Sequence, residues 1–133
     1  MTLFVLDTNI ISSLLRRNPL AVARLDVTTV PENTFIGCPM VWHEVRRGLL
    51  ARDARLQMCL FEVLFTQFDW QDYSRDDWTL AEQWWANRRS AGRPIADADL
   101  LIAVFTYNRS AVLITDNEKD FAGLGVTVEN WLN

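Results

Sequence analysis

Acidic residues stand at the ends of the most apolar stretches of this chain, and this limits what it can fold into. Asp7 closes Leu3-Phe4-Val5-Leu6, and Glu44 follows Met40-Val41-Trp42. Asp99 enters Leu100-Leu101-Ile102-Ala103-Val104-Phe105, and Asp116 closes Val112-Leu113-Ile114-Thr115. Each carboxylate is thereby carried to the border of a core, where an isolated charge is costly and is normally paired, protonated or bound to a cation. If the four meet in space, they make a hard, oxygen-lined pocket that suits Mg²⁺ or Mn²⁺.

The pattern between these acids is one of strands alternating with helices. Residues 2–7 read as a buried strand feeding a turn, with Thr8 and Asn9 as capping types before Ile10-Ile11 and Leu14-Leu15 at helical spacing. Pro19 suits the start of a short helix running to about Asp26, and 34–38 suit a second strand. Residues 40–51 read as a helix carrying Glu44, and 53–66 as another with Leu56, Leu60, Val63 and Leu64 on its apolar side. A short strand at 68–70 and a long helix from Ser74 to Ser90 follow, the latter stopped by Gly92 and Pro94. Residues 98–108 are apolar nearly all round, which predicts a central, buried helix. Strands at 112–115 and 126–128 complete the series. The expected fold is α/β: one domain over 1–133, with a mainly parallel sheet of four to five strands and helices on both faces. In such sheets the crevice lies beyond the carboxyl ends of the strands, at the topological switch point. Asp7, Glu44, Asp99 and Asp116 are all expected near that edge.

Composition narrows the function classes. No apolar stretch approaches the ~20 residues that span a bilayer, and Met1-Thr2-Leu3-Phe4 lacks the basic start of a secretory signal, so no membrane association and a cytoplasmic location are expected. Cys38 and Cys59 are too few for a disulfide framework and read as small buried apolar residues. A net charge of −4 argues against nucleic-acid binding by bulk charge, yet twelve of the thirteen basic residues are Arg, whose planar fork suits phosphate. Of the six Trp residues at least four are expected in the core, and Trp84 and Trp85, about 100° apart on a helix, cannot both face inward.

Among the acids, Asp7 is free for a metal if Thr8 or Asn9 caps the following helix, and Glu44 either joins it or pairs with Arg47. Asp97 and Asp99 diverge by about 200° on a helix, so one pocket takes one of them. Asp99 is favoured, with Asp97 as N-cap or outer acid. Asp116, Asn117 and Asp120 cluster, and which of them completes the site stays open. No Gly-rich phosphate loop exists, the single His43 cannot build a histidine metal cluster, and Ser12 and Ser13 have no adjacent base. Carboxylates and metal must carry any chemistry.

Four segments taken in order resemble the signature blocks of PIN-domain ribonucleases. They are Phe4-Val5-Leu6-Asp7-Thr8-Asn9, Glu44-Val45-Arg46-Arg47-Gly48, Pro94-Ile95-Ala96-Asp97-Ala98-Asp99-Leu100 and Leu113-Ile114-Thr115-Asp116-Asn117-Glu118-Lys119-Asp120-Phe121. The tail Val128-Glu129-Asn130-Trp131 is similar to the VapC toxin branch. The resemblance implies a PIN fold, Mg²⁺- or Mn²⁺-dependent cleavage of single-stranded or loop RNA (transfer or ribosomal RNA), a homodimer, and inhibition by a cognate VapB-type antitoxin. It carries the metal acids to Asp7 and Asp99, with Glu44 third. The rivals are a phosphotransfer domain, receiver- or phosphatase-like, and a non-catalytic interaction module with a PIN fold. A receiver needs a lysine after its last strands and this chain has only Lys119, while a phosphatase wants Asp where Asn9 stands.

Overall fold

The apolar runs become five strands: β1 (Thr2–Leu6), β2 (Asn33–Gly37), β3 (Asp69–Trp70), β4 (Val112–Ile114) and β5 (Thr127–Glu129). Six helices lie between them: α1 (Thr8–Leu15), α2 (Pro19–Thr28), α3 (Pro39–Ala51), α4 (Arg55–Thr66), α5 (Arg75–Ser90) and α6 (Asp97–Asn108). A 3₁₀ turn covers Glu118–Phe121. A computed structural model describes all 133 residues.

The strand order is β3-β2-β1-β4-β5, and every adjacent pair is parallel. The chain therefore builds outward from β1 on one side and returns to its other side with β4. The switch point falls between β1 and β4, where Leu6 pairs with Ile114. Phe4, Val5 and Leu6 are buried in succession, as are Leu113, Ile114 and Thr115. Successive strand residues face opposite sides, so both faces of the sheet are covered, as a parallel sheet requires.

Local chemistry explains the helix ends. Asn18 accepts from the backbone N–H groups of Leu20 and Ala21 ahead of Pro19. Ser74 and Asp77 form a reciprocal capping box at the start of α5. Asp77, fully buried, also takes a 3.0 Å ion pair from Arg109 and a 2.8 Å bond from Asn108, which ties α5 to the end of α6. α6 is central as expected, with six successive or near-successive residues from Leu100 to Thr106 buried. No helix is long and apolar enough to cross a membrane.

Three packing expectations are corrected. α4 buries Phe61 and Phe65, which pack on each other and on Trp42, and turns Leu56, Leu60 and Val63 outward. Rings bury more area than Leu or Val, so the aromatic stripe takes the core face. Cys59 lies on that outer face and is exposed, while Cys38 is buried. Core packing claims fewer than four Trp residues outright. Trp131 is buried, Trp42 and Trp84 lean on the core, and Trp70, Trp78 and Trp85 are exposed. The exposed three keep local partners: Trp70 donates to Asp72, Trp78 packs on Tyr73, and Trp85 lies under Arg89. Trp84 and Trp85 divide between inside and outside as helical geometry demands.

Candidate active site

Asp7 directly follows β1, and the strand ladder runs on into it through a 2.9 Å bond from its N–H to the Ile114 carbonyl. It is 3 % exposed. Its Oδ1 accepts from the Thr8 N–H at 2.7 Å and its Oδ2 from the Thr115 hydroxyl at 2.7 Å. Asp7 is itself the N-cap of α1, which corrects the assignment of that role to Thr8 or Asn9. Those two are engaged elsewhere. The Thr8 hydroxyl donates to Glu44 Oε1 at 2.9 Å, joining α1 to α3. Asn9 donates to the Thr115 hydroxyl and accepts from the Asp116 N–H, joining α1 to the end of β4. Capping leaves Asp7 with lone pairs to spare, since a carboxylate has about four acceptor sites.

Glu44 sits in the second turn of α3, partly buried, and its other oxygen faces Arg47 at 3.6 Å, so membership of the acid group and pairing with Arg47 coexist. Asp99 lies in the first turn of α6, beside the positive helix end. Burial pushes its carboxyl up to about 6, and the negative charges of Asp7, Asp120 and Glu44 push the same way. Asp7 is also raised. Burial is the main cause, the bonds from Thr115 and the Thr8 N–H oppose it, and Glu44 and Asp120 add to it. Asp7, Glu44, Asp99 and Asp120 thus share one negative field.

The other candidates join the site through backbone bonds or lie on the surface. Asp116 is exposed, as is Asp120; the Asp116 N–H donates to Asn9 and its side chain accepts from Asn130. Asn117 stands at the N-cap position of the 3₁₀ turn without a side-chain bond, its N–H donating to Thr115. That turn brings Asp120 back toward the acids. Asp97 is not the N-cap of α6. Ala96 holds that position without a side-chain bond, and Asp97, the first helical residue, is exposed beside Trp78 and Trp85. His43 is on the helix surface. Sequence reasoning misses Thr115, although it occupies the place after β4 that Asp7 occupies after β1.

No three of the acids are close enough to enclose one ion by themselves. An ion bound here would therefore keep several waters and take one or two carboxylates directly, as Mg²⁺ does. All donors are hard oxygens, which is the matching chemistry.

The chain is thus an all-parallel α/β domain that gathers acidic side chains at its switch point. The chain belongs to the PIN-domain family, whose model matches residues 4–126. It is 30% identical over 120 residues to Ribonuclease VapC1 of Haemophilus influenzae strain R2866, covering 90% of each chain. Its fold is similar to that in the VapBC-1 structure from nontypeable Haemophilus influenzae, with a TM-score of 0.86 at 24% identity over 99% of this chain and 100% of the other. A toxin–antitoxin complex from Klebsiella pneumoniae matches with a TM-score of 0.71 at 26% identity over 97% of both chains.

Proposed function

We propose that this chain is a divalent-metal-dependent endoribonuclease, the VapC-type toxin of a toxin–antitoxin pair, cutting single-stranded or loop segments of transfer or ribosomal RNA. The observation that carries the reading is the negative field shared by Asp7, Glu44, Asp99 and Asp120 at the switch point, with Asp7 and Asp99 both raised by burial and by their neighbours. Carboxylates held in this way are poised for a cation and gain from its arrival. The relatives named Ribonuclease VapC1 and the VapBC complexes support the activity and a VapB-type partner.

Asp7 and Asp99 are the proposed direct metal acids, Glu44 the third, and Asp120 the fourth in place of Asp116. Thr115 and the Thr8 N–H hold the Asp7 carboxylate in one orientation, and the Thr8 hydroxyl does the same for Glu44. These bonds fix the oxygens before substrate arrives, so little reorganisation is left for the reaction. A divalent ion held by Asp7 and Asp99, with Glu44 third, would supply positive charge beside the phosphate and a more acidic water. The antitoxin is proposed to cover this acidic surface, and the chain to pair with a second copy.

Purified chain should cut RNA with Mn²⁺ or Mg²⁺ and stop when EDTA is added. Asp7→Asn and Asp99→Asn should remove cleavage while keeping the native circular-dichroism spectrum. Full cleavage by Asp7→Asn would overturn the assignment.

A further inference from the structure

A groove of about 250 Å³ runs between α1 and α3 and shares Thr8 and Glu44 with the site above. Arg16, Gly48, Arg52 and Gln57 continue its lining. Thr8 and Arg16 are eight residues apart at the two ends of α1, and Glu44 and Arg52 are eight apart between the second turn and the C-cap of α3. At 1.5 Å per residue each arginine lies roughly 12 Å along its helix from the acids. The ion pairs of the chain use Arg24, Arg46, Arg47, Arg55 and Arg109, so neither groove arginine has a carboxylate partner. Gln57 accepts a long 3.5 Å bond from the Arg52 guanidinium.

Both arginines are also the C-cap residues of their helices, where any cation complements the helix dipole. Gly48 separates that duller role from a binding role. It is exposed within α3, and a Cβ built on it would meet nothing within 4 Å. Glycine weakens a helix interior, and no neighbour in this chain requires it there. Bare backbone facing a groove with two guanidiniums free of carboxylate partners is what the close approach of another chain needs. Only three of the ten lining residues are hydrophobic, which suits a sugar–phosphate backbone better than the apolar face of a protein helix.

We propose that this groove seats the RNA strand flanking the scissile phosphate, with Arg16 and Arg52 gripping backbone phosphates and Gly48 leaving room for the strand. The assignment rests on the ribonuclease reading above. It gives a chain of net charge −4 a local cationic track beside its anionic centre. Sequence preference would arise elsewhere, because phosphate contacts position a strand without reading it.

The test uses the full chain carrying Asp7→Asn, titrated with a fluorescein-labelled single-stranded RNA oligonucleotide across a salt series and read by anisotropy. Adding Arg16→Gln and Arg52→Gln should weaken binding by about tenfold or more and lower the slope of log affinity against log salt by about 1.4, near 0.7 for each phosphate no longer neutralised. Gly48→Gln should raise the melting temperature and weaken RNA binding together, opposite signs that a purely structural glycine would not give. Unchanged affinity and slope in the double-arginine variant, with RNA still cut by the wild type, would overturn the groove assignment alone. Variants that hold RNA like the parent but lose a VapB-type antitoxin would also overturn it and give the groove to the protein partner. A wild-type chain that neither binds nor cuts RNA in Mn²⁺ would overturn the ribonuclease reading itself.

Discussion

Replacing Asp99 by Asn should stabilise the metal-free protein, and the size of the effect follows from the crowding of its carboxylate. Its carboxyl is raised from 3.8 to about 6 by burial and by Asp7, Asp120 and Glu44. A shift of that size corresponds to ~3 kcal/mol of unfavourable charge at neutral pH, at 1.36 kcal/mol per unit. Asp99 is only partly buried, so solvent screening reduces this to ~1.5 kcal/mol. Loss of a favourable carboxylate in the first turn of α6 returns about 0.5 kcal/mol. The remaining ~1 kcal/mol, against an unfolding entropy near 2.1 cal/mol/K per residue over this chain, raises the melting temperature by about 4 °C.

The pH dependence fixes the sign. Because the folded group holds its proton to higher pH than the unfolded one, wild-type stability from this group is fully present below about 3.8 and falls as pH rises through about 6. The amide that replaces the carboxyl cannot titrate, so the advantage of the variant should be near zero close to pH ~4 and complete at pH ~7.5. Thermal unfolding followed by circular dichroism in EDTA at both pH values measures it. Mn²⁺ should then reverse the order, raising the wild type and leaving the variant little changed. A variant no more stable than wild type at the higher pH in EDTA, or a gap independent of pH, would refute the crowding.

Other outcomes follow from the same side chains. Arg109→Ala strands the buried Asp77 carboxylate and should cost about 3 kcal/mol, lowering the melting temperature by roughly 10 °C at neutral pH. Burial pushes Asp77 up, but Arg109, Asn108 and the Ser74 N–H together hold it below its ordinary value, so its contribution is present above pH ~4 and lost as pH falls further. RNA cleavage rates should fall about 10- to 100-fold in Asp120→Asn and change far less in Asp116→Asn; equal losses would return the fourth place to the pair. Gly37→Ala puts a methyl 2.9 Å from a Phe65 ring carbon and 3.3 Å from the Trp70 backbone, and urea unfolding should register a loss of about 1–3 kcal/mol.

The parts of the fold most legible in the sequence are those where one signal dominates. β1 is an apolar run that stops at Asp7, and α6 is apolar on every side, so burial leaves each a single solution. The sheet edge that collects Asp7, Glu44 and Asp99 follows from the alternation of strands and helices alone. Where two signals compete, the residues do not decide. α4 carries one stripe of Leu and Val and another of Phe, both at helical spacing, and only packing against Trp42 reveals that the rings win. Asp7, Thr8 and Asn9 are all good capping types, and the first is selected because Thr8 and Asn9 find distant partners in Glu44 and Thr115. The approach of Asp120 to the other acids is hidden for a similar reason. A single 3₁₀ turn separates Asp116 from Asp120, and a turn of that length reverses direction without any periodic pattern to announce it.

Asp7 after β1, Glu44 in α3 and Asp99 in α6 are proposed to share a divalent ion. Anomalous diffraction from crystals grown in Mn²⁺ measures this directly. The predicted result is a manganese peak bonded at about 2.0–2.2 Å to an oxygen of Asp7 or Asp99, with Glu44 and Asp120 reaching it directly or through water. A manganese peak elsewhere, or none at these acids at saturating Mn²⁺, would contradict it.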